Sequence, residues 1–322
     1  MINRDIKIGL LEYGYRIDKN SMATIEEIIE YAVEADKLGF SRFWLGEHHG
    51  PLTTTAFTNP DLLIGIIAGM TDQIKVGSAG STIIIHDAYP VVTNYKLMNN
   101  MFYDRIDLGL AKGSGLVETK KVVKMDRDLN SRKSFRQDFD DKLKLIYDLL
   151  YNEKKNLEEN EVVIPPYGGK APEMWYLSTS YRNVETAIKY GLNYSRSLFH
   201  SLPGEDDYKK EELLKFKQDF FEKHKVYPKV NIGISICMKN TMPEALKALE
   251  QLKAHYGQGE NEGFKIFAVT IDSLYNMLLE YQDLYGVDEF IIHDLTDDPQ
   301  QLLSNINAIS DRFNLQKETI VN

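Results

Sequence analysis

QIKVGSAGSTIIIHDAYPVVTNYKLMNNMFYDRIDLGLAKGSG, Gln73 to Gly115, carries a strand, a helix and a second strand in one pass. Ile74 to Ser81 is short and β-rich, Pro90 to Phe102 has helical spacing, and Ile106 to Lys112 returns to strand. Two parallel strands need a crossover between them, so this order predicts a βαβ unit. The alternation continues on both sides. Upstream, Ile6 to Glu12 predicts a strand, and Thr24 to Leu38 predicts a helix with Ile25, Ile28, Ile29, Ala32, Val33 and Ala35 on one face and Gly39 as its stop. Arg42 to Glu47 is the second strand, and Pro60 to Met70 the second helix, with Asn59 as N-cap.

Downstream, a helix from about Ser131 to Asn152 leads into a polar stretch, Glu153 to Pro172, that reads as an excursion. Strand Met174 to Ser178, helix Val184 to Tyr190 and strand Tyr194 to Phe199 follow, then helix Leu213 to Lys223 and strand Val230 to Met238. After helix Glu244 to His255 comes a second irregular stretch, Gln258 to Phe267. Helix Ser273 to Leu284, strand Glu289 to Leu295 and helix Pro299 to Phe313 complete eight pairs. These predict an α/β chain, one domain over 1–322 folded as a (β/α)8 TIM barrel with insertions after the fourth and seventh strands. A doubly wound open sheet shares the alternation and is the competing architecture.

The 322 residues carry 43% hydrophobic side chains, enough for one full core, and a formal net charge of −10. That charge argues against nucleic acid, whose binding rests on clustered Lys and Arg. The single cysteine, Cys237, offers neither an internal disulfide nor a thiolate metal site, and is expected to be buried and inert. No run approaches the ~20 apolar residues of a membrane span, and the chain reads as a cytoplasmic protein without targeting signals.

Barrel enzymes build their sites at the carboxyl ends of the strands. Here those ends hold Glu12 and Tyr13; Glu47, His48 and His49; Ser78, Ala79, Gly80 and Ser81; Lys112; Ser178, Thr179 and Ser180; His200; and His293 with Asp294. One reading is a metal-dependent hydrolase using His48, His49, His200, His293 and Asp294, with Lys112 as a modified bridge. Against it, the first strand, IGLLEY, lacks the His-x-His pair of such barrels. The other reading is an anion and flavin site. Lys112 and the hydroxyls of Ser178, Thr179 and Ser180 suit a phosphomonoester beside the helix that starts near Asn183, although a Ser/Thr run is also an ordinary N-cap. The small run Gly77 to Ser81 suits a planar ring against the strand end, or a β-bulge.

Three of these segments, GFSRFWLGEHHG (Gly39 to Gly50), QIKVGSAGS (Gln73 to Ser81) and RIDLGLAKGSG (Arg105 to Gly115), resemble the luciferase-like monooxygenases. The resemblance runs from about Ile6 to Phe199. It implies a barrel that binds FMN, or in some branches a deazaflavin, with the ring against the third strand near Ser78, Ala79 and Gly80. Ala79 and Gly80 match the family's non-proline cis peptide under the ring. His48 matches the histidine beside the reacting face, where it hydrogen-bonds or moves a proton, with Glu47 as its catalytic companion and His49 in support. Lys112 stands where an arginine commonly meets the phosphate, Thr179 and Ser180 match hydroxyl contacts beside Ser178, and Arg182 adds a second positive group. This flavin reading assigns no metal. Ala111 replaces a reactive cysteine of bacterial luciferase and Tyr103-Asp104 replaces a usual Pro-Gly, so light emission is not implied.

The implied reaction is oxygenation of a small organic or biosynthetic intermediate by reduced flavin and O2, under a lid at Gly113 to Asn130, with a separate flavin reductase as supplier. The alternative is a deazaflavin- or FMN-dependent reductase of a double bond or carbonyl in natural-product or modified-peptide biosynthesis, and a third is a flavin binder without catalysis. Tyr13, Phe57, Tyr89, Tyr181 and Phe199 are either pocket or core aromatics. The family also implies a homodimer through the helices after the first strands.

Overall fold

The strands seen in the computed structural model are β1 Lys7–Glu12, β2 Arg42–Leu45, β3 Lys75–Thr82, β4 Ile106–Ala111, β5 Glu173–Ser178, β6 Asn193–Ser197, β7 Val230–Met238, β8 Ile266–Val269 and β9 Glu289–Asp294. The structure describes residues 5–16, 19–49, 55–113, 135–181, 183–200, 210–256 and 264–316. The helices are α1 Ser21–Lys37, α2 Asp61–Met70, α3 Ala88–Met101, α4 Phe135–Tyr151, α5 Glu153–Asn160, α6 Val184–Tyr190, α7 Lys210–His224, α8 Met242–Tyr256, α9 Ile271–Tyr285 and α10 Pro299–Phe313.

The strand order is β6-β5-β4-β3-β2-β1-β9-β7-β8, with a further pairing of β6 to β7. Strands β1 to β7 and β9 thus close a ring of eight, the (β/α)8 barrel expected from the alternation, and the open-sheet alternative falls away. The irregular stretch predicted after the seventh strand is corrected in part, because Ile266–Val269 forms β8. Nine-residue β7 is long enough to pair β6 along Val230 to Gly233 and β8 along Ser235 to Met238. Likewise the polar excursion after α4 contains α5, whose buried Asn156 donates to the Asp148 carbonyl at 2.7 Å.

The chain divides into two compact units. The first comprises residues 1–12, 26–43 and 176–322. Within it Arg42 and Glu289, both buried, pair at 2.8 Å, and Ser41 and Asn231 also donate to the Glu289 carboxylate. These donors replace the water that the carboxylate lost, without which so buried a charge would be untenable. Helix α10 starts at Asp298, whose side chain accepts from the Gln300 and Gln301 N–H groups ahead of Pro299.

The second unit comprises residues 13–25 and 44–175. Trp44 and Trp175 meet edge to face at 5.1 Å, and the Trp44 indole donates to Asp107 at 2.9 Å. β3 and β4 pair in parallel with a register shift between Ser78 and Ser81. That shift is the bulge that the small-residue run allowed. Lys96, fully buried on α3, ties the excursion to the barrel by donating to Glu153 and to the Ile164 carbonyl.

Candidate active site

In the second unit the loops after β1, β2 and β3 build one cluster around Glu47, His48, His49 and His86. Gly14, with φ of 73°, turns the chain after β1 so that Ala56 N–H reaches the Gly14 carbonyl and Tyr15 bridges Thr55. Tyr13 then lies across the backbone of Gly46, where an added Cβ would stand 2.0 Å from the ring. Only glycine admits that approach. The His48 imidazole rests 4.5 Å from the Tyr13 ring, and its Nδ1 is 2.5 Å from the Tyr15 hydroxyl.

His48 is exposed at its edge. The surrounding protein and the neighbouring His49 nevertheless hold its pKa below the ordinary value, against the opposing pull of Glu47. The ring is therefore neutral at neutral pH. When the Tyr15 hydroxyl donates to Nδ1, the ring proton sits on Nε2, the atom left to exchange a proton with a ligand.

Glu47 is buried, and burial alone would raise its pKa. Hydrogen bonds from His49 and His86, the charge of His86 and the Thr82 N–H outweigh that penalty and bring it to about 2. His49 Nε2 and His86 Nε2 approach the same oxygen, Oε1, at 2.5 and 2.6 Å, while Thr82 N–H donates to Oε2 at 2.9 Å. Sequence reasoning missed His86. The signal was available, since His86 lies in the loop that follows the third strand, on the same rim as Glu47.

The remaining expected residues are placed as follows. Ser78 is fully buried, and its hydroxyl bonds Gly109 and Ser81 at 3.1–3.2 Å, so its side chain serves the β3–β4 bulge. The Ala79–Gly80 peptide is cis, at the position that the resemblance marked, and Ala79 is half-buried. Lys112 is half-buried with its ammonium 5.4 Å from the Phe139 ring. Residues 114–130 of the lid candidate, and Arg182, lie outside the described residues.

In the first unit Ser178, Thr179 and Ser180 are half-buried after β5. Arg196, fully buried on β6, donates from Nε to the Thr179 carbonyl at 3.1 Å, and the Tyr194 hydroxyl donates to the Ser180 carbonyl at 2.6 Å. Neither support was foreseen. Both tether backbone oxygens, and the Ser178 hydroxyl itself accepts from the Ser180 N–H at 3.4 Å. Helix α6 after it has only seven residues, and its N-cap Asn183 makes no side-chain cap. His293 Nδ1 lies 3.2 Å from Ser235 Oγ, His200 Nδ1 lies 2.9 Å from Ser197 Oγ, and Phe199 and Phe264 pack around them. Asp294 is held by Asn305 and Thr296. Of the five side chains in the hydrolase reading, only His49 belongs to a cluster with metal-ligating geometry among the described residues. Cys237 is buried, and desolvation, then Asp294, push its thiol up to about 11.

The sequence profile of the luciferase-like monooxygenases matches residues 10–304. An N-acetyl-S-alkylcysteine monooxygenase of Bacillus subtilis (strain 168) is 26% identical over 221 residues, 68% of this chain and 63% of that protein. A luciferase-like monooxygenase of Escherichia coli (strain K12) is 26% identical over 198 residues, 61% and 56% of the two chains. The matched region thus spans about half to two thirds of these relatives' length. Among solved structures, apo-MsnO8 superposes with a TM-score of 0.80 at 22% identity, covering 97% of this chain and all of the other. An F420-dependent secondary alcohol dehydrogenase in complex with an F420-acetone adduct gives 0.72 at 11% identity, covering 98% and 100%. These two likenesses speak for the fold alone. Among the described residues no helix is long and apolar enough to cross a membrane.

Proposed function

The chain belongs to the luciferase-like monooxygenase family, and from that premise we propose that it is a flavin-dependent oxidoreductase that oxygenates a small organic substrate with reduced FMN and O2. The observation that carries the proposal is the setting of His48: a neutral imidazole, open to ligand, fixed by Tyr13 and Tyr15 beside a buried carboxylate. Such a group donates a hydrogen bond from Nε2 to a bound ligand, and passes that proton on as Nδ1 takes up the Tyr15 hydroxyl proton, so the ring stays neutral and the charge falls on the Tyr15 oxygen. Tyr13 and Gly46 orient the ring. Glu47 fixes His49 and the β3 end through Thr82, so the floor on which His48 stands does not shift.

In this reading the cofactor's phosphate and ring are met by the residues that the resemblance marks. Lys112 supplies a cation for the phosphate, as a point charge without the planar fork of arginine. The hydroxyls of Thr179 and Ser180 keep the phosphate-binding role drawn from the resemblance, with Ser178 beside them. Ala79 and Gly80 offer a surface without bulky side chains for the isoalloxazine. When bound, reduced FMN supplies the two electrons that O2 activation needs. A flavin reductase in a separate protein would deliver it.

The exposed apolar residues of α2 and α3 support the homodimer. Leu62, Ile66 and Met70 on α2 and Tyr89, Leu97 and Met101 on α3 are 49–85% exposed. Gly65 and Gly69 of α2 pack against Met98 and Phe102, which sets the two stripes side by side. The only charged side chains on these helices are Asp61 and the buried Lys96, so the face suits a second copy of itself better than a charged partner.

The test is anaerobic titration with reduced FMN and, separately, a reduced deazaflavin, followed by absorbance. The wild type is expected to bind reduced FMN and consume O2 with substrate. Lys112→Ala should weaken binding by about 10–100-fold, the worth of a charged hydrogen bond. His48→Ala should bind FMN and lose turnover. Preference for the deazaflavin would favour the reductase alternative. Binding of neither would overturn the assignment.

A further inference from the structure

Glu47 and His49 leave the end of β2, and His86 lies four residues beyond β3. Between them Glu47 Oε1, His49 Nε2 and His86 Nε2 all lie within 4.8 Å of one another. We propose that these three atoms form a binding site for a divalent first-row transition ion of the zinc and cobalt class. The proposal stands apart from the flavin assignment and uses different side chains from His48, whose Nδ1 is engaged by Tyr15.

Two imidazole nitrogens converge on one carboxylate oxygen at 2.5 and 2.6 Å. In a tetrahedral zinc site, bonds of about 2.0–2.2 Å place ligand atoms roughly 3.3 Å apart. The imidazoles therefore need to withdraw by less than about 1 Å, within reach of small side-chain rotations, to admit an ion among the three atoms. Two histidines and one carboxylate form a borderline donor set that suits Zn2+, Co2+ or Fe2+ and leaves coordination positions for water or another ligand.

The outer contacts also suit a metal. Oε2 of Glu47 is held by Thr82 N–H at 2.9 Å, which leaves Oε1 as the monodentate ligand. The backbone that carries His86 is pinned by Lys142, which donates to the carbonyls of Ile84 and His86. The Glu47 side chain is 1% exposed, whereas His49 and His86 are 14% and 22% exposed, so the carboxylate is sheltered and the ion's entry lies on the histidine side. Binding displaces any proton shared between the imidazoles and Glu47, so affinity should fall in acid.

The experiment is titration of the chelator-treated, flavin-free full chain with Co2+, read by visible ligand-field absorption, and with Zn2+ by calorimetry. One ion per chain is expected. His86→Ala should weaken binding by more than the ~10–100-fold that even an outer-shell partner is worth, while His48→Ala should bind like wild type. His86 is half-exposed, so its variant is the main test; Glu47→Gln serves as a second. Failure of the wild type to bind stoichiometrically, or equal binding by wild type and His86→Ala, would overturn the site. Flavin affinity, measured separately on the same samples, keeps this outcome distinct from that of the flavin assignment.

Discussion

Replacing Glu47 by glutamine tests how the cluster is held together, and the structure fixes both the size and the pH window of the effect. The folded carboxyl titrates near 2 against an ordinary value of 4.5. A carboxyl whose pKa is depressed by folding stabilises the fold fully above the unfolded pKa, and that contribution fades as pH falls toward the folded one. Integrating these two values gives about 3 kcal/mol at pH 5.5 and about 2 kcal/mol at pH 3.5. Glutamine also carries a pH-independent penalty, because its amide offers one acceptor oxygen where the carboxylate serves three donors. The diagnostic quantity is therefore the change in the difference between the two proteins, about 1 kcal/mol smaller at pH 3.5 than at pH 5.5. This window lies below the ordinary histidine range, so unfolded imidazoles keep one charge state throughout. Urea unfolding followed by tryptophan fluorescence is a suitable assay, since both tryptophans, Trp44 and Trp175, are buried in the unit that contains Glu47. A difference that stays constant, or widens in acid, would refute the reasoning.

Gly46→Ala places a methyl group 2.0 Å from the Tyr13 ring, so the ring must leave its seat beside His48. A loss of about 1–3 kcal/mol in stability is expected, with turnover impaired while reduced FMN still binds; unchanged kinetics would show that Tyr13 does not position His48. Ile66→Glu puts a charge in the middle of the exposed α2 stripe. Light scattering should then report half the mass of the wild type, and a wild type that is already monomeric would remove the α2–α3 face from the proposal.

The fold was readable where local and global demands coincide. Strand β7, VNIGISICM, is buried at every position, and its β-branched residues at every second place from Val230 to Ile236 mark it as a strand whose two ends were read correctly. Helix α10 was bounded as predicted because Pro299 and the Asp298 cap mark its start chemically. The missed elements lack such signals. Strand β8 is four residues long and mostly half-exposed, and it exists because the far half of β7 has a free edge. Helix α5, EKKNLEEN, has no apolar stripe, and is held by contacts that Asn156 and Glu153 make elsewhere.

The site was readable only in part, for a related reason. The motif Glu47-His48-His49 names three chemically capable side chains but not their partners. In the structure its two histidines diverge: His48 turns to Tyr15 and His49 to Glu47. The second ligand of Glu47, His86, is 39 residues away in sequence and becomes a neighbour only because β2 and β3 are adjacent in the barrel. The same adjacency explains how so buried a carboxylate stays ionised, since it accepts from two rings and one backbone N–H. A tripeptide thus serves two separate chemistries. His48 faces ligand as a neutral proton carrier, whereas Glu47 and His49 face inward to a charge site that a proton or a metal ion can fill. Variants at His48 and at His86 should therefore fail in different assays, turnover for one and metal affinity for the other, and loss of both properties from either substitution would mean that the two halves of the motif act as one.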